Sequence, residues 1–442
     1  MATITTSTQP STAIAGNGKN ANYRFALNAL FTLFFLWGFI TCLNDIIIPH
    51  LKALLTLNYA EAMLVQFAFF IAYAVISIPA GFMLKKTGYK NGIVIGLAIM
   101  GAACFIFCPA ASELSYPIFL IGFFVLAAGI TILQVAANPY VALLGKPQTS
   151  SSRLNLAQAF NSLGTTIAPY IGAIIVLGVA IKTSAELGAL STQQLSAYYM
   201  SQKLAVQVPY IVIGIILFII AIFFLVIKLP RLEGIETPSK KVKSDTDVKE
   251  PSAWARKHLL LGSIAIFLYV GAEVSIGSFL VLYMNQSYIA DFSFATGAKM
   301  VALYWGGAMI GRFIGSAVQK KIAPSKVLAF NAVIAIILVV ITMVTFGYIA
   351  MYAIILVGLF NSIMFPTIFS LAIEDLGTKT NQGSSLLCTA IVGGAIIPVL
   401  QGVLADSITI HYCFIIPALC YAFILYYGLK GHKYKSIHKL AE

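Results

Sequence analysis

The stretch that decides the fold runs from residue 131 to 169 and reads TILQVAANPYVALLG (131–145), KPQTSSS (146–152) and RLNLAQAFNSLGTTIAP (153–169). Its two outer parts belong to long apolar segments, yet each carries amide and hydroxyl side chains at helical spacing. Polar side chains are costly inside a bilayer, so they face a protein interior or an aqueous cavity. Amides both donate and accept hydrogen bonds, which suits an uncharged, hydroxyl-rich ligand. The stretch therefore predicts two membrane helices that line a cavity for such a ligand.

The polar residues of this stretch recur every three or four positions, so each set lies along one face of its helix. In chain order the two sets are Thr131, Gln134 and Asn138, then Asn155, Gln158, Asn161, Ser162 and Thr165. The residues that we expect to bind the ligand are Gln134, Asn138, Gln158 and Asn161. Pro139 removes a backbone donor and frees a carbonyl that a neighbouring amide can satisfy, so Asn138 has an alternative role in supporting this kink.

The composition of the whole chain places it in a membrane. Of its 442 residues, 60% are hydrophobic and 10% are charged, and apolar segments of about 20 residues recur along the sequence. The net charge of +13 comes mainly from short loops between these segments, which indicates membrane topology and no nucleic-acid partner. The six cysteines lie in or near apolar segments without ligand-like spacing, so we expect neither a disulfide framework nor a metal site.

Hydropathy predicts twelve membrane spans. They are 25–53, 60–84, 91–110, 116–143, 153–178, 207–229, 257–286, 296–320, 325–346, 350–373, 382–406 and 410–430. A charged, proline-containing linker at 230–256 separates an N-terminal half (25–229) from a C-terminal half (257–430). Residues 1–24 and 431–442 are expected to be cytoplasmic tails, the first of them disordered. The predicted fold is an all-α membrane protein of twelve transmembrane helices in two pseudo-symmetric six-helix halves.

Lysine and arginine are distributed unequally between the two sets of loops. If both termini are cytoplasmic, 23 of these residues lie on the cytoplasmic side and 4 lie on the other. Cytoplasmic loops carry the excess of positive charge in membrane proteins. We therefore expect a multi-pass protein of the bacterial inner membrane with both termini inside.

Two motifs occur once in each half. The segment GTTIAP at 164–169 is echoed by GGAIIP at 393–398, and Pro139 of the fourth span has a counterpart in Pro366 of the tenth. Two similar halves predict a binding site at their interface, near the middle of the membrane.

Asn361 is the C-terminal counterpart of Gln134, because the offset that relates the two prolines also relates these amides. Asn361 is therefore a fifth candidate ligand contact. Three tyrosines of the predicted spans, Tyr73, Tyr269 and Tyr304, have rings that can stack on a ligand. Aromatic residues in membrane helices are more often packing residues, and we expect that role here.

Four charged residues within predicted spans or at their edges are candidates for coupling or gating. Asp45 lies in the first span, where burial favours the protonated carboxyl and suits it to carry a proton; its alternative role is a structural hydrogen bond. Glu273 of the seventh span is the second candidate for proton coupling. Arg312 of the eighth span lies about 12 Å from the depth of Glu273 at 1.5 Å per residue, so an ion pair needs tilt or a third partner. We expect Arg312 and Arg153 to be gating or structural residues.

Long motifs make the chain similar to a known family. They are FFLWGFITCLNDIIIPHL in the first span, LQVAANPYVALLG in the fourth, RLNLAQAFNSLGTTIAP in the fifth, FLYVGAEVSIGSFL in the seventh, MIGRFIGS in the eighth and GLFNSIMFPTIFSLAIEDLG in the tenth. Together they resemble the major facilitator superfamily, and within it the fucose–proton symporter family, which includes bacterial fucose and glucose/galactose permeases. The resemblance implies the major facilitator fold and the transport of a sugar.

The resemblance also implies roles for individual residues. In the fucose symporter an aspartate of the first span and a glutamate of the fourth are linked to proton coupling and sugar binding, and an asparagine of the fifth lines the pore. The aspartate matches Asp45 and the asparagine matches Asn161, whereas Gln134 stands at the position of the glutamate. This departure resembles the glucose/galactose branch more than the fucose branch. The loop after the second span also departs from the superfamily, with Lys85 where an acidic residue is usual.

The predicted function is secondary transport of a neutral hexose by alternating access, most simply by proton symport. Glucose and galactose come first, with fucose and N-acetylglucosamine as alternatives. Sodium coupling, uncoupled transport and a non-transporting sugar sensor remain open. The sequence has no nucleotide loop, metal pair or filter-like loop, which argues against an enzyme, a primary pump and a channel. We expect no cofactor, and we expect a monomer whose partners are the hexose, a proton or sodium ion, and the lipid bilayer.

Overall fold

The computed structural model describes residues 20–54, 59–175, 190–230 and 256–434, with side chains left undescribed at 20–22, 42–66, 169–175, 294, 295 and 298. These residues form helices joined by short turns, and no strand occurs among them. The described part of the chain is therefore all-α, as predicted from the sequence.

The helices of the N-terminal half are Asn20–Leu54, Tyr59–Ser112, Tyr116–Leu143, Ser150–Ile175 and Thr192–Val226. Those of the C-terminal half are Lys257–Met284, Phe294–Val318, Pro324–Val344, Gly347–Asn361, Met364–Ala372, Thr380–Thr389, Gly393–Ser407 and Ile415–Tyr426. Nine helices in the described chain are long and apolar enough to cross a membrane, by length and composition alone. The fifth span, which carries the polar stripe, and the short twelfth span are not among these nine.

The second and third spans are the two arms of Tyr59–Ser112, and the chain folds back between them at Gly88. Gly88 has φ of 78° and ψ of 169°, a backbone conformation that a residue with a Cβ rarely adopts. Leu84 Cδ2 lies 2.0 Å from the position of a Cβ built on Gly92. These two residues are about 12 Å apart in a continuous helix, so the element reverses direction between them.

Several bounds differ from those predicted from hydropathy. The fourth span, Tyr116–Leu143, has the predicted bounds. The sixth begins at Thr192, fifteen residues before the predicted start at 207, because Ser191 and Gln194 form a reciprocal capping box ahead of a polar first part. The twelfth begins at Ile415, five residues after the predicted start at 410. Hydropathy detects apolar length, whereas capping side chains decide where a helix begins.

The tenth and eleventh spans are each interrupted. In the tenth, Gly347–Asn361 ends and Met364–Ala372 begins after a two-residue break. In the eleventh, a 3₁₀ turn at Ala390–Val392 separates Thr380–Thr389 from Gly393–Ser407. Interruptions of membrane helices occur where neighbouring helices satisfy the freed backbone groups. At the break in the tenth span, an arginine of the eighth span donates to the carbonyl of Ser362.

The repeated glycine motif has the same packing role in each half. A Cβ built on Gly164 of the fifth span lies 2.1 Å from the carbonyl oxygen of Phe35 in the first span. A Cβ built on Gly393 of the eleventh span lies 2.0 Å from the carbonyl oxygen of Phe267 in the seventh. Both distances are far below van der Waals contact, so only glycine permits these backbones to approach. Small residues serve this purpose widely in membrane helices.

The two halves meet at one end of the bundle, which we call the lysine-rich side. It is the end whose short loops contain Lys85, Lys86, Lys146, Lys320, Lys321, Lys326 and Lys379. Ser152 Oγ donates to the carbonyl of Ser316 at 2.7 Å, and Ser316 Oγ donates to the carbonyl of Ser152 at 2.9 Å. Asn155 Nδ2 donates to Gln319 Oε1 at 2.8 Å, and Gln319 Nε2 donates to Thr367 Oγ1 at 2.8 Å. These five residues, the inter-half clasp, close the lysine-rich side.

Candidate functional site

The amide stripe of the fourth and fifth spans connects four spans of the N-terminal half. Gln134 Nε2 donates to the hydroxyl of Tyr73 in the second span at 2.7 Å. Gln158 Nε2 donates to Asn138 Oδ1 at 3.3 Å, which joins the fifth span to the fourth. Asn161 Nδ2 donates to the carbonyl of Phe34 in the first span at 3.0 Å. Each amide therefore has one end fixed by the protein.

The exposure of these amides separates them into two groups. Gln134 and Gln158 are each 7% exposed, and Asn161 is half-buried, so all three keep some exposed surface. Asn138 is 0% exposed, and its Nδ2 is buried without a hydrogen-bond partner among the described residues. Asn138 thus orients Gln158 from inside the protein. The side chain of Asp45, the predicted proton carrier, lies outside the described residues.

Pro139 and Pro366 each free a carbonyl, and each freed carbonyl accepts a hydrogen bond from a side chain. The carbonyl of Val135, four residues before Pro139, accepts from Ser384 Oγ of the eleventh span at 2.9 Å. The donor is thus a hydroxyl of the opposite half, whereas the sequence led us to expect an amide. The carbonyl of Ser362, four residues before Pro366, accepts from the Nε of an arginine at 3.1 Å. The first of these bonds joins the two halves, in addition to the inter-half clasp.

That arginine is Arg312, and it also forms an ion pair with Glu273. Arg312 Nη2 lies 3.5 Å from Glu273 Oε1, and the side chains are 14% and 13% exposed. Tyr269, one turn before Glu273, donates its hydroxyl hydrogen to Glu273 Oε1 at 2.7 Å. Glu273 and Arg312 thus form an ion pair although the sequence predicts different depths for them in the membrane. Tyr269 is a third residue bonded to the Glu273 carboxylate.

Arg312 is also bonded to the N-terminal half. Its Nη1 donates to Ser162 Oγ of the fifth span, one residue beyond Asn161 in the amide stripe. One guanidinium therefore contacts Glu273, the broken tenth span and the opposite half. The planar fork of arginine donors permits this combination, which a lysine does not reproduce.

Asn361 lies in the interior of the C-terminal half. It is 0% exposed, and its Nδ2 donates to the hydroxyls of Tyr304 at 2.7 Å and Tyr421 at 3.2 Å. The bond to Tyr304 repeats the bond of Gln134 to Tyr73, as the internal symmetry predicts. Asn361 has no exposed surface for a ligand in this structure, so the symmetry extends to the hydrogen bond but not to accessibility.

Arg153 closes the end of the fourth span on the lysine-rich side. It donates to the carbonyls of Val141 at 3.2 Å, Ala142 at 2.6 Å and Lys146 at 2.8 Å. Carbonyls at a helix end lack intrahelical partners, and cationic side chains satisfy them well. Of its two predicted roles, gating and structural, these contacts at the turn before the fifth span favour the structural one.

Sequence reasoning missed three residues of this region as specific contacts. Ser384 and Ser162 bond across the halves, and Tyr73 holds Gln134. Ser162 lies on the polar stripe, and Tyr73 was expected only to pack. No local signal marks Ser384, because its partner lies 249 residues away. Within the part of the chain that the structure describes, no group of three or more His, Cys, Asp or Glu residues is arranged to hold a metal ion.

Known proteins are similar to this chain over most of its length. A family model described as Major Facilitator Superfamily matches residues 29–390. A glucose/galactose transporter of Brucella abortus is 53% identical over 412 residues, which cover 93% of this chain and 95% of that protein. The L-fucose-proton symporter of Escherichia coli is 37% identical over 420 residues, which cover 93% and 94%.

A solved structure has the same fold. The crystal structure of the transporter FucP in the outward conformation matches with a TM-score of 0.85 and 36% identity, covering 94% of this chain and 100% of that one. The relatives are transporters, and the chain is a transporter rather than an enzyme. The chain belongs to the major facilitator superfamily and, within it, to the fucose–proton symporter family in its glucose/galactose branch.

Proposed function

We propose that the chain imports a neutral hexose, with glucose or galactose as the first candidate, by proton symport. The observation that carries the proposal is the set of three uncharged amides, Gln134, Gln158 and Asn161, each fixed at one end and each with some exposed surface. Such groups match the hydroxyls of a sugar without attracting a charged solute. The identity of 53% with a named glucose/galactose transporter supports this sugar class.

The loop charges suggest which side of the membrane is closed in this structure. We propose that the lysine-rich side is cytoplasmic, because positively charged loops stay inside, and that both termini lie there in the bacterial inner membrane. The inter-half clasp then closes the cytoplasmic side, so the site opens outward. The similarity to FucP in the outward conformation supports this state. Import requires that the clasp opens after sugar and proton have bound.

Transport in proteoliposomes tests the proposal. Labelled glucose, galactose, fucose and N-acetylglucosamine are supplied separately, under an inward proton gradient and under an inward sodium gradient. We expect glucose or galactose to accumulate under the proton gradient and to exchange in counterflow. Accumulation driven by sodium alone would replace the proton in the proposal. Exchange without accumulation under either gradient would indicate an uncoupled carrier, and a failure of all exchange by folded protein would favour a sugar sensor.

Gln134 is expected to contribute directly to sugar affinity. Gln134→Ala should weaken hexose binding by about 1–3 kcal/mol, because the sugar hydroxyl and the Tyr73 hydroxyl both lose a partner. Isothermal titration of the purified variant measures the affinity, and thermal unfolding verifies that it is folded. Gln207→Ala serves as a control, because Gln207 bonds to Cys108 and Ser112 and not to the amide stripe. An unchanged affinity for folded Gln134→Ala would exclude the contact.

A further inference from the structure

The hydrogen bond between Gln134 and Tyr73 determines which end of the Gln134 amide faces a ligand. Nε2 donates to the Tyr73 hydroxyl at 2.7 Å, and the two side chains are 7% and 3% exposed. An amide group has its donor on one atom and its acceptor on the other. Holding Nε2 on Tyr73 therefore turns Oε1 away from Tyr73. Among the residues that the structure describes, Oε1 has no hydrogen-bond partner, and the Gln134 side chain keeps 7% exposure.

The equivalent pair of the C-terminal half, Asn361 and Tyr304, differs from Gln134 and Tyr73 in the exposure of its amide. Asn361 Nδ2 donates to the Tyr304 hydroxyl at the same distance of 2.7 Å. Asn361 is 0% exposed, and its Oδ1 is enclosed without a partner among the described residues. Two pairs of the same construction thus differ in access, and only the pair of Gln134 and Tyr73 can offer its acceptor to a solute.

We propose that Tyr73 is a positioning residue that fixes Gln134 with Oε1 toward the substrate, so that the site selects a sugar hydroxyl acting as a hydrogen-bond donor. The inference rests on the proposed function, in which a sugar binds between the halves. Tyr73 itself acts through Gln134. A sugar in which the selected hydroxyl is replaced by fluorine cannot donate, and it is rejected because Oε1 is left without a partner.

A panel of monodeoxyfluoro analogues of the transported hexose tests this orientation. The readout is the ratio of half-saturation constants, analogue over parent, from inhibition of counterflow in proteoliposomes. In the native chain one analogue should bind roughly tenfold more weakly than the parent, as expected for one unpaired acceptor. In Tyr73→Phe the amide loses its anchor and can turn Nε2 toward the substrate. The ratio for that analogue should then fall toward one while the parent sugar is still exchanged.

Tyr304→Phe is the matched control. It removes the same hydroxyl from the enclosed pair, so it should lower thermal stability and leave the analogue ratio at its native value. A purely structural role of Tyr73 predicts the same result for Tyr73→Phe, namely a change in stability with an unchanged ratio. That result would overturn the inference.

Two substitutions of Gln134 keep the test valid if Tyr73→Phe does not fold. Gln134→Glu retains an acceptor and should retain the discrimination, whereas Gln134→Met has no acceptor of comparable strength and should lose it. Retained discrimination in Gln134→Met, or its loss in Gln134→Glu, would contradict the proposed orientation. Absence of exchange by the native chain would overturn the proposed function and this inference together, whereas exchange with an unaltered ratio in Tyr73→Phe overturns this inference alone.

Discussion

Arg312→Met is expected to destabilise the chain by about 3–5 kcal/mol, the cost of removing one partner from a buried ion pair. Arg312 lies 3.5 Å from Glu273, and both side chains are less than one-sixth exposed. The substitution leaves a carboxylate without its counter-charge inside the membrane. It also removes the donor to the Ser362 carbonyl, which Pro366 deprives of a helical partner, and the bond to Ser162 of the other half.

Thermal unfolding of the purified variants measures this effect. Arg312→Met combined with Glu273→Gln should recover part of the lost stability, because the neutral amide needs no counter-charge, and the double-mutant cycle isolates the coupling of the pair. Lys299→Met is the control for loss of a positive charge, because Lys299 is exposed and outside this cluster. It should change stability by no more than about 0.5 kcal/mol. Equal stability of Arg312→Met and the native chain would refute the structural importance of the pair.

The second large effect is expected on coupling. Asp45→Asn should exchange sugar for sugar across the membrane while losing the ability to concentrate sugar under an inward proton gradient. A carboxyl inside the membrane is strongly penalised in its charged form, so reorientation of the sugar-loaded carrier favours the protonated state. Asparagine mimics that state permanently. The free energy for accumulation comes from the ion, and Asp45 is the only acid that we place in the cavity of the N-terminal half to carry it.

Glu273→Gln, assayed in the same vesicles, distinguishes the two candidate proton carriers. In this structure Glu273 accepts from Tyr269 and is paired with Arg312, so its charge is compensated by the protein. We therefore expect Glu273→Gln to alter stability more than coupling. Accumulation by Asp45→Asn together with its loss in Glu273→Gln would reverse the assignment. Both variants are compared for uptake under the gradient and for counterflow without it.

The hydrogen bonds of the inter-half clasp indicate how much free energy is needed to open the lysine-rich side. Asp45→Asn and Glu273→Gln both test transport that depends on this opening. Each of its hydrogen bonds contributes about 0.5–1.5 kcal/mol net. The closed state is thus stabilised by a few bonds of modest strength, among them the reciprocal pair of Ser152 and Ser316. Differences of this size lie within what a ligand can offset by binding one state better than the other.

The sequence by itself predicted the fold and the helices that carry the candidate site. Apolar length predicted twelve spans and the bounds Tyr116–Leu143, because hydropathy and helical period are properties of consecutive residues. The repeat of GTTIAP and GGAIIP predicted equivalent roles, and Gly164 and Gly393 do meet backbone carbonyls in the same way. Periodic amides likewise marked the fourth and fifth spans as the ones with a polar face.

Only the tertiary structure decided which polar residues meet and which of them remain accessible. Gln134 and Asn361 look equivalent in the sequence, yet one retains exposure and the other is enclosed by Tyr304 and Tyr421. Glu273 and Arg312 differ in depth along the sequence, yet they form an ion pair. These outcomes depend on the tilt and register of helices that lie far apart in the chain. The tilt and register of a helix cannot be predicted from the residues next to it in the chain. They are determined only when the two halves pack together.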